Sequence, residues 1–200
     1  MLVDIGTNQQ AHRAQPLRSS GKIGSDIRAL RRSRNWTLSA LAEQLGRSVG
    51  WLSQVERNVS EPALDDIRKI AGLFSLPVSF FFTAAADDDE SAYIVRAESR
   101  RMMSDRPKGL FESLLSPDLG GAFEIIHSVF TPGAACPEPF VRPTEEAGYV
   151  LAGSLVLFID GVRFELDQGD SFRFSGEEIS WVNEGDVDAV LIWVIAPPVY

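Results

Sequence analysis

Two ionisable side chains stand four residues apart in the stretch PFVRPTEEAGYVLAG, residues 139–153: Arg142 and Glu146. The guanidinium is a planar fork that matches a carboxylate, sulfonate or phosphate with two hydrogen bonds, and the carboxylate is an anchor for an amine. Together they suit an amino acid or a similar zwitterion. On a strand, residues two apart share a face, so Phe140 would lie beside Arg142 as an apolar wall or as a ring face for an ammonium group. The same two charges could instead pair with each other and fill a protein interior. Removing either partner would then strand a buried charge, so the residues alone leave both readings open.

The elements that must hold these groups divide the chain in two. Of its 200 residues, those up to Phe82 carry 11 Lys/Arg against 7 Asp/Glu, whereas the rest carry 8 against 21, for an overall charge of −9. A basic front and an acidic rear suit different partners, and an acidic total does not exclude nucleic acid, because phosphates respond to the local patch they meet. Cys136 is the single cysteine, so no internal disulfide framework is possible and a reducing compartment is the simplest setting. No apolar run reaches the ~18 residues that a bilayer span needs, and the first twenty residues lack a signal-peptide core. A cytoplasmic protein with no membrane segment is therefore expected. Residues 1–20 are polar and aperiodic and read as a disordered arm.

From residue 21 to 82 the apolar residues recur at helical spacing. Ile27 and Leu30 mark one stripe, with Ser25 as its expected N-cap; Leu38, Leu41, Ala42 and Leu45 mark a second behind Thr37. Gly46 supplies a left-handed C-terminal turn, and Ser48 caps a third helix whose inward residues are Leu52 and Val55. Pro62 is expected to open a fourth helix through Leu64, Ile67, Ile70 and Ala71, and SLPVSFFF to close the unit as a fifth. The second and third helices, joined by the short LGRS turn, are spaced as a helix-turn-helix requires.

Leu41-Ala42, Gly46, Ser48, Leu52-Ser53, Glu56-Arg57 and Pro62 together resemble the lambda-repressor-like, XRE-type helix-turn-helix family along the whole run from Thr37 to Phe82. The resemblance implies double-stranded DNA as partner, with the N-terminal part of the third helix facing base edges in the major groove. On that placement Val49, Gly50, Ser53 and Gln54 are candidates for base contact, Gln54 as a two-pronged partner of adenine and Val49 as a contact to a thymine methyl. Arg47, Arg57, Thr37 and Ser48 suit phosphates. Trp51 either packs along the sugar-phosphate wall or covers the edge of the bundle. Glu56 would repel phosphate, so pairing with Arg28 or Arg31 is expected of it instead.

Residues 83–92, TAAADDDESA, contain four acids in a row and read as an extended linker. From residue 93 to 200 the period becomes alternating: AFEIIHSVF, YVLAGSLVLFIDG, VRFEL, SFRFSG and AVLIWVIA are strand-like runs, with Ile159 to Gly161 as a hairpin turn. Many short strands over this length imply an all-β sandwich or barrel.

Glu146 with Gly153 seven residues on, and Gly169-Asp170 followed by Asn183, resemble the two motifs of a small cupin, a jelly-roll barrel. The positions at which that family carries metal-binding histidines fall here on Phe140, Arg142 and Ile179. The resemblance also turns Ile179 and Trp181 toward the barrel interior. Glu146 alone cannot supply the three or so ligands that a divalent ion needs, and Arg142 places a fixed positive charge where the cation would sit, so no metal and no cofactor are expected. His127 reads as a lone structural or surface residue. The expected molecule is thus multidomain, an all-α five-helix DNA-binding domain followed by an all-β cupin. Its expected function is that of a homodimeric transcriptional regulator, a repressor by family analogy, that senses a small-molecule effector through Phe140, Arg142, Glu146, Ile179 and Trp181. A cupin enzyme tethered to a DNA-binding domain, and a ligand-free dimerisation module, are the other two classes that the same residues allow.

Overall fold

The computed structural model describes residues 23–82, 93–104 and 107–199; the arm at 1–20 and the linker at 83–92 lie outside these residues. The front half is built from α1 (Ile23–Ser33), α2 (Leu38–Leu45), α3 (Val49–Glu56) and α4 (Leu64–Phe74), followed by a short 3-10 helix (Val78–Phe81). Their inner faces bury Ile27, Leu30, Leu41, Leu45, Leu52, Val55, Ile70, Phe74, Phe80 and Phe81 almost completely. Each such side chain contributes about 1.5–3 kcal/mol on leaving water.

Three expectations about this unit are corrected. The fifth helix is the 3-10 segment rather than an α-helix: it is four residues long, and Pro77 just before it has no N–H to give. Ser25 is not an N-cap but lies inside α1, where its hydroxyl accepts from Asn58 Nδ2 at 3.1 Å. Gly24 N donates to Asn58 Oδ1 at 2.9 Å, so the first turn of α1 is held from across the bundle. Leu64 is 49% exposed and opens α4 without joining its buried stripe, while Pro62 sits two residues before the helix.

Local signals fix the other joints. Thr37 Oγ1 accepts from Ala40 N and Ser48 Oγ from Trp51 N, each at 3.1 Å, and Gly46 adopts φ 64°, where a Cβ would be strained. Glu56 is held by Arg31, whose Nε and Nη2 donate to the two carboxylate oxygens at 2.7 and 2.9 Å. The third donor of that fork, Nη1, reaches Trp36 O at 2.8 Å, which ties α1, α3 and the turn before α2 together.

Among the described residues the rear half has two antiparallel sheets. The larger has the order β1 (Arg101–Ser104), β2 (Leu110–Leu114), β3 (Glu124–Phe130), β9 (Ala189–Ala196), β4 (Glu145–Ala152), β7 (Ser171–Ser175). The smaller has the order β6 (Val162–Leu166), β5 (Leu155–Ile159), β8 (Ile179–Val182). Strands β3 and β9 show strict in-out alternation, which turns Glu124, Ile126, Ser128 and Phe130, with Leu191, Trp193 and Ile195, toward the interior. The β5–β6 hairpin turns at Asp160 and Gly161, both at positive φ, as the Asp-Gly pair predicts. Gly153 is fixed by contact as well as by conformation: at φ 70°, a Cβ there would lie 2.4 Å from Asp188 O.

The expected strand through Phe140 and Arg142 is not regular. Phe140 makes an isolated bridge with Ile179, its N–H donating to Ile179 O at 2.9 Å, and β4 begins only at Glu145. Pro139 and Pro143 flank the segment without amide donors, so a continuous ladder cannot form there. The two halves meet through a buried ion pair: Arg101 Nη1 of β1 donates to Asp26 Oδ2 of α1 at 2.8 Å, and the Arg101 guanidinium lies 5.5 Å from the Phe80 ring centroid. Arg101 is 8% and Asp26 3% exposed.

Candidate functional site

Two surfaces carry the residues singled out above. On the front half, the turn between α2 and α3 and the first turn of α3 form one exposed ridge: Arg47, Ser48, Val49 and Gly50 are all exposed, as are Thr37, Gln54 and Arg57. Ser53 and Trp51 are half-buried behind them. Gln54 Oε1 accepts from Ser60 Oγ at 3.2 Å, which leaves its amide N–H groups facing outward. Arg57 Nε is folded back onto Ser53 O at 3.1 Å. Arg47 has two attachments: its Nε and Nη2 grip both oxygens of buried Asp66 at 2.9 and 3.0 Å, and its guanidinium lies 5.2 Å from the Trp51 ring centroid. Trp51 also packs against the bundle core, so it covers the edge of the bundle. Gly50 has no atom within 4 Å of where a Cβ would be placed; nothing inside the protein requires a glycine there.

In the rear half a cavity of about 290 Å³ opens between the sheets and the 131–144 loop. It brings together Phe140, Arg142, Glu146 and Trp181, four of the five residues that the sequence points to. The fifth, Ile179, is buried beneath the Phe140 bridge and does not line the cavity. Glu146 is 1% exposed and fully engaged, with Oε1 accepting from Thr144 Oγ1 and Oε2 from Trp193 Nε1, each at 2.7 Å. Arg142 is only loosely paired with it: Nη1 is 3.9 Å from Glu146 Oε1, too far for a hydrogen bond, and the guanidinium stacks instead over the Phe140 ring at 4.6 Å.

Sequence reasoning missed Glu112 on β2, and Phe130 and Trp193 on β3 and β9, all of which line the same cavity. Glu112 has little support, since the one hydrogen bond that reaches it comes from Ser128 Oγ at 3.4 Å. Burial pushes its carboxyl above the usual range, and the charge of Arg142 offsets part of that effect. Beyond the cavity, Glu124 is fully buried; Oε1 accepts from Val199 N at 3.1 Å while Oε2 has no partner. Burial raises its pKa to about 7, against the opposing pull of the Val199 N–H and of Arg142. Cys136 Sγ donates to Glu138 O at 2.9 Å, and burial raises its pKa, so it is a poor thiolate. His127 faces out of the barrel, beside Ile192 on β9.

The residues present do not fit a metal ion. Phe140, Arg142 and Ile179 offer no metal donor at the three expected positions, Glu146 is already held by Thr144 and Trp193, and no three His, Cys, Asp or Glu side chains among the described residues could hold one.

Comparison with known proteins agrees with this division. A helix-turn-helix family model matches residues 27–81 and a cupin-domain model matches residues 126–195. The chain is 29% identical over 156 residues to the HTH-type transcriptional regulator SutR of Escherichia coli, covering 78% of this chain and 83% of SutR. It is 24% identical over 153 residues to the HTH-type transcriptional regulator PuuR of the same organism, covering 76% of this chain and 82% of PuuR. Among solved structures, an HTH_3 family transcriptional regulator from Vibrio cholerae aligns over 90% of this chain and 97% of its own, with 25% identity and a TM-score of 0.42. With a DNA-binding helix-turn-helix domain in front and a cupin behind, this chain belongs to the XRE-type helix-turn-helix transcriptional regulators that carry a cupin domain.

Proposed function

We propose that this DNA-binding regulator is a homodimeric repressor whose cupin domain binds a small metabolite without a metal and adjusts operator affinity in response. The observation that carries the reading is the 290 Å³ cavity: it is walled by aromatic rings, contains ionisable groups, and lies in a barrel whose first strand is ion-paired to α1 of the DNA-binding half. A bound effector changes DNA affinity only if it binds the DNA-competent and incompetent arrangements differently, and the Asp26–Arg101 pair is a route by which the two halves can sense one another.

On DNA, Gln54 would hydrogen-bond an adenine edge, with Ser53 and Val49 beside it. Gly50 would let the duplex backbone approach closely, which accounts for a glycine that the protein's own packing does not require. Thr37, Arg47, Ser48 and Arg57 would meet phosphates, with Trp51 behind Arg47 at the groove wall. Dimerisation is supported by the outer face of the larger sheet, where Val190, Ile192 and Val194 of β9 are flanked by exposed Tyr149 and Leu151 of β4. Two copies would present α3 to half-sites about one DNA turn, roughly 34 Å, apart. The setting is the cytoplasm; no helix among the described residues is long and apolar enough to cross a membrane.

The test is selection of a binding site from random duplexes, followed by anisotropy titration of that site. Gln54→Ala should weaken specific binding roughly 5- to 150-fold, the ~1–3 kcal/mol of a two-pronged base contact, without changing the melting temperature. Unchanged specific affinity would remove Gln54 from the base-reading set.

A further inference from the structure

The charge balance of the cavity is lopsided. Three carboxylates line it, Glu112 on β2, Glu138 in the loop and Glu146 on β4, against the single guanidinium of Arg142. Glu112 and Glu146 stand three strand spacings apart in the larger sheet, roughly 14 Å along its curve, so they face the space from different sides and do not converge on one point. Aromatic rings fill the wall between them: Phe130 and Trp181 meet edge to face with centroids 4.6 Å apart, and Trp193 is fixed by its hydrogen bond to Glu146. An electron-rich ring beside a carboxylate is a seat for an organic cation.

One such seat already holds a cation from the protein itself. The Arg142 guanidinium lies 4.6 Å from the Phe140 ring centroid and 3.9 Å from Glu146. Its grip is weak, because the side chain is 42% exposed and no hydrogen bond joins it to Glu146, whose oxygens are satisfied by Thr144 and Trp193. An anchor built to receive an anion would be expected free of carboxylates and braced by neutral donors. Arg142 has the opposite surroundings. Glu112, across the cavity, has only the long contact to Ser128 and no cation of its own.

We propose that the cupin cavity binds a small organic cation, an aliphatic amine or guanidine, with Glu112 as its anchor, and that Arg142 is a built-in stand-in that the ligand displaces from the Phe140–Glu146 seat. This rests on the sensor reading above and narrows its ligand class. It also reverses the role that the sequence suggests for Arg142, from anion fork to competitor. A ligand that must displace a resident group binds with an apparent affinity reduced by the fraction of time the seat is free, so removing the resident should tighten binding.

The experiment uses the full-length protein and four probes of equal chain length: butylammonium, butylguanidinium, butyrate and 1-butanol. Tryptophan fluorescence reads occupancy, since Trp181 and Trp193 line the cavity. At constant ionic strength the two cations should bind, and butyrate and butanol should not. Arg142→Gln should tighten cation binding about tenfold if the seat is free roughly a tenth of the time. Glu112→Gln should weaken binding at least tenfold, with an unchanged melting temperature showing that the fold is intact. Butyrate binding that is lost in Arg142→Gln would overturn the cation proposal and leave the sensor reading standing. Failure of either cation to bind, or weaker cation binding in Arg142→Gln, would also overturn it. Cation binding that never alters the affinity for DNA would uphold the site and contradict the sensor reading.

Discussion

The two halves of the molecule treat buried charge in opposite ways. In the helical half each of two buried carboxylates is clamped by an arginine fork, Glu56 by Arg31 and Asp66 by Arg47, with both oxygens used. In the barrel Glu124 keeps one oxygen without a partner, Glu112 has a single long contact, and Glu146 is held by neutral donors while its arginine sits over a ring. Saturated forks fix helices against one another and leave nothing for a ligand to do. Unsaturated carboxylates store free energy that a proton or a cation can release. The contrast assigns the helical half to rigid presentation of α3 and the barrel to response.

The sharpest way to break that contrast is to unclamp a carboxylate in the helical half. Arg31→Met should destabilise the protein by about 3–5 kcal/mol, because it leaves Glu56 charged, buried and alone. Chemical denaturation followed by circular dichroism measures this, and a loss below about 1 kcal/mol would show that the fork is ornamental.

The barrel predicts the opposite sign for Glu124→Gln. The folded-state pKa of Glu124 lies near 7, above the ~4.3 of an unfolded chain, so the native state holds the proton more tightly and stability falls as pH rises between those values. The glutamine variant should match the parent at pH 4 and exceed it at pH 8 by as much as about 3 kcal/mol. Equal pH dependence in the two proteins would mean that Glu124 has a partner when ionised. The smallest effect is expected at Gly50→Ala. Open space at the Cβ and better helix propensity should raise stability by up to about 1 kcal/mol, while affinity for the selected DNA site falls. Gain of stability with no loss of DNA binding would remove the argument for close approach of the duplex.

Legibility in the sequence followed the range of the interaction. The joints of α2 and α3 could be read because Thr37, Gly46 and Ser48 act on amides and carbonyls within a few residues. The start of α1 could not, because Asn58 caps it from 34 residues away. The family frame placed Glu146 and Trp181 at the cavity, since motif spacing carries that information. Glu112 and Trp193 reach it only through pairing of β2 with β3 and β3 with β9, and β1 and β2 are short strands without clean alternation. Arg142 was placed correctly and its surroundings were not, since the Phe140 ring and the distance to Glu146 depend on how the proline-flanked loop crosses β8.

The central claim, that the barrel's ligand adjusts what the helices do, is tested most directly by one titration. A fluorescent duplex carrying the selected site is titrated with protein, with and without butylammonium at a concentration that saturates the tryptophan signal. The account predicts a shift of at least about fivefold in the midpoint for the parent protein, the lower end of ordinary coupling, and no shift for Glu112→Gln. Superimposable curves for the parent protein at full occupancy of the barrel would contradict it.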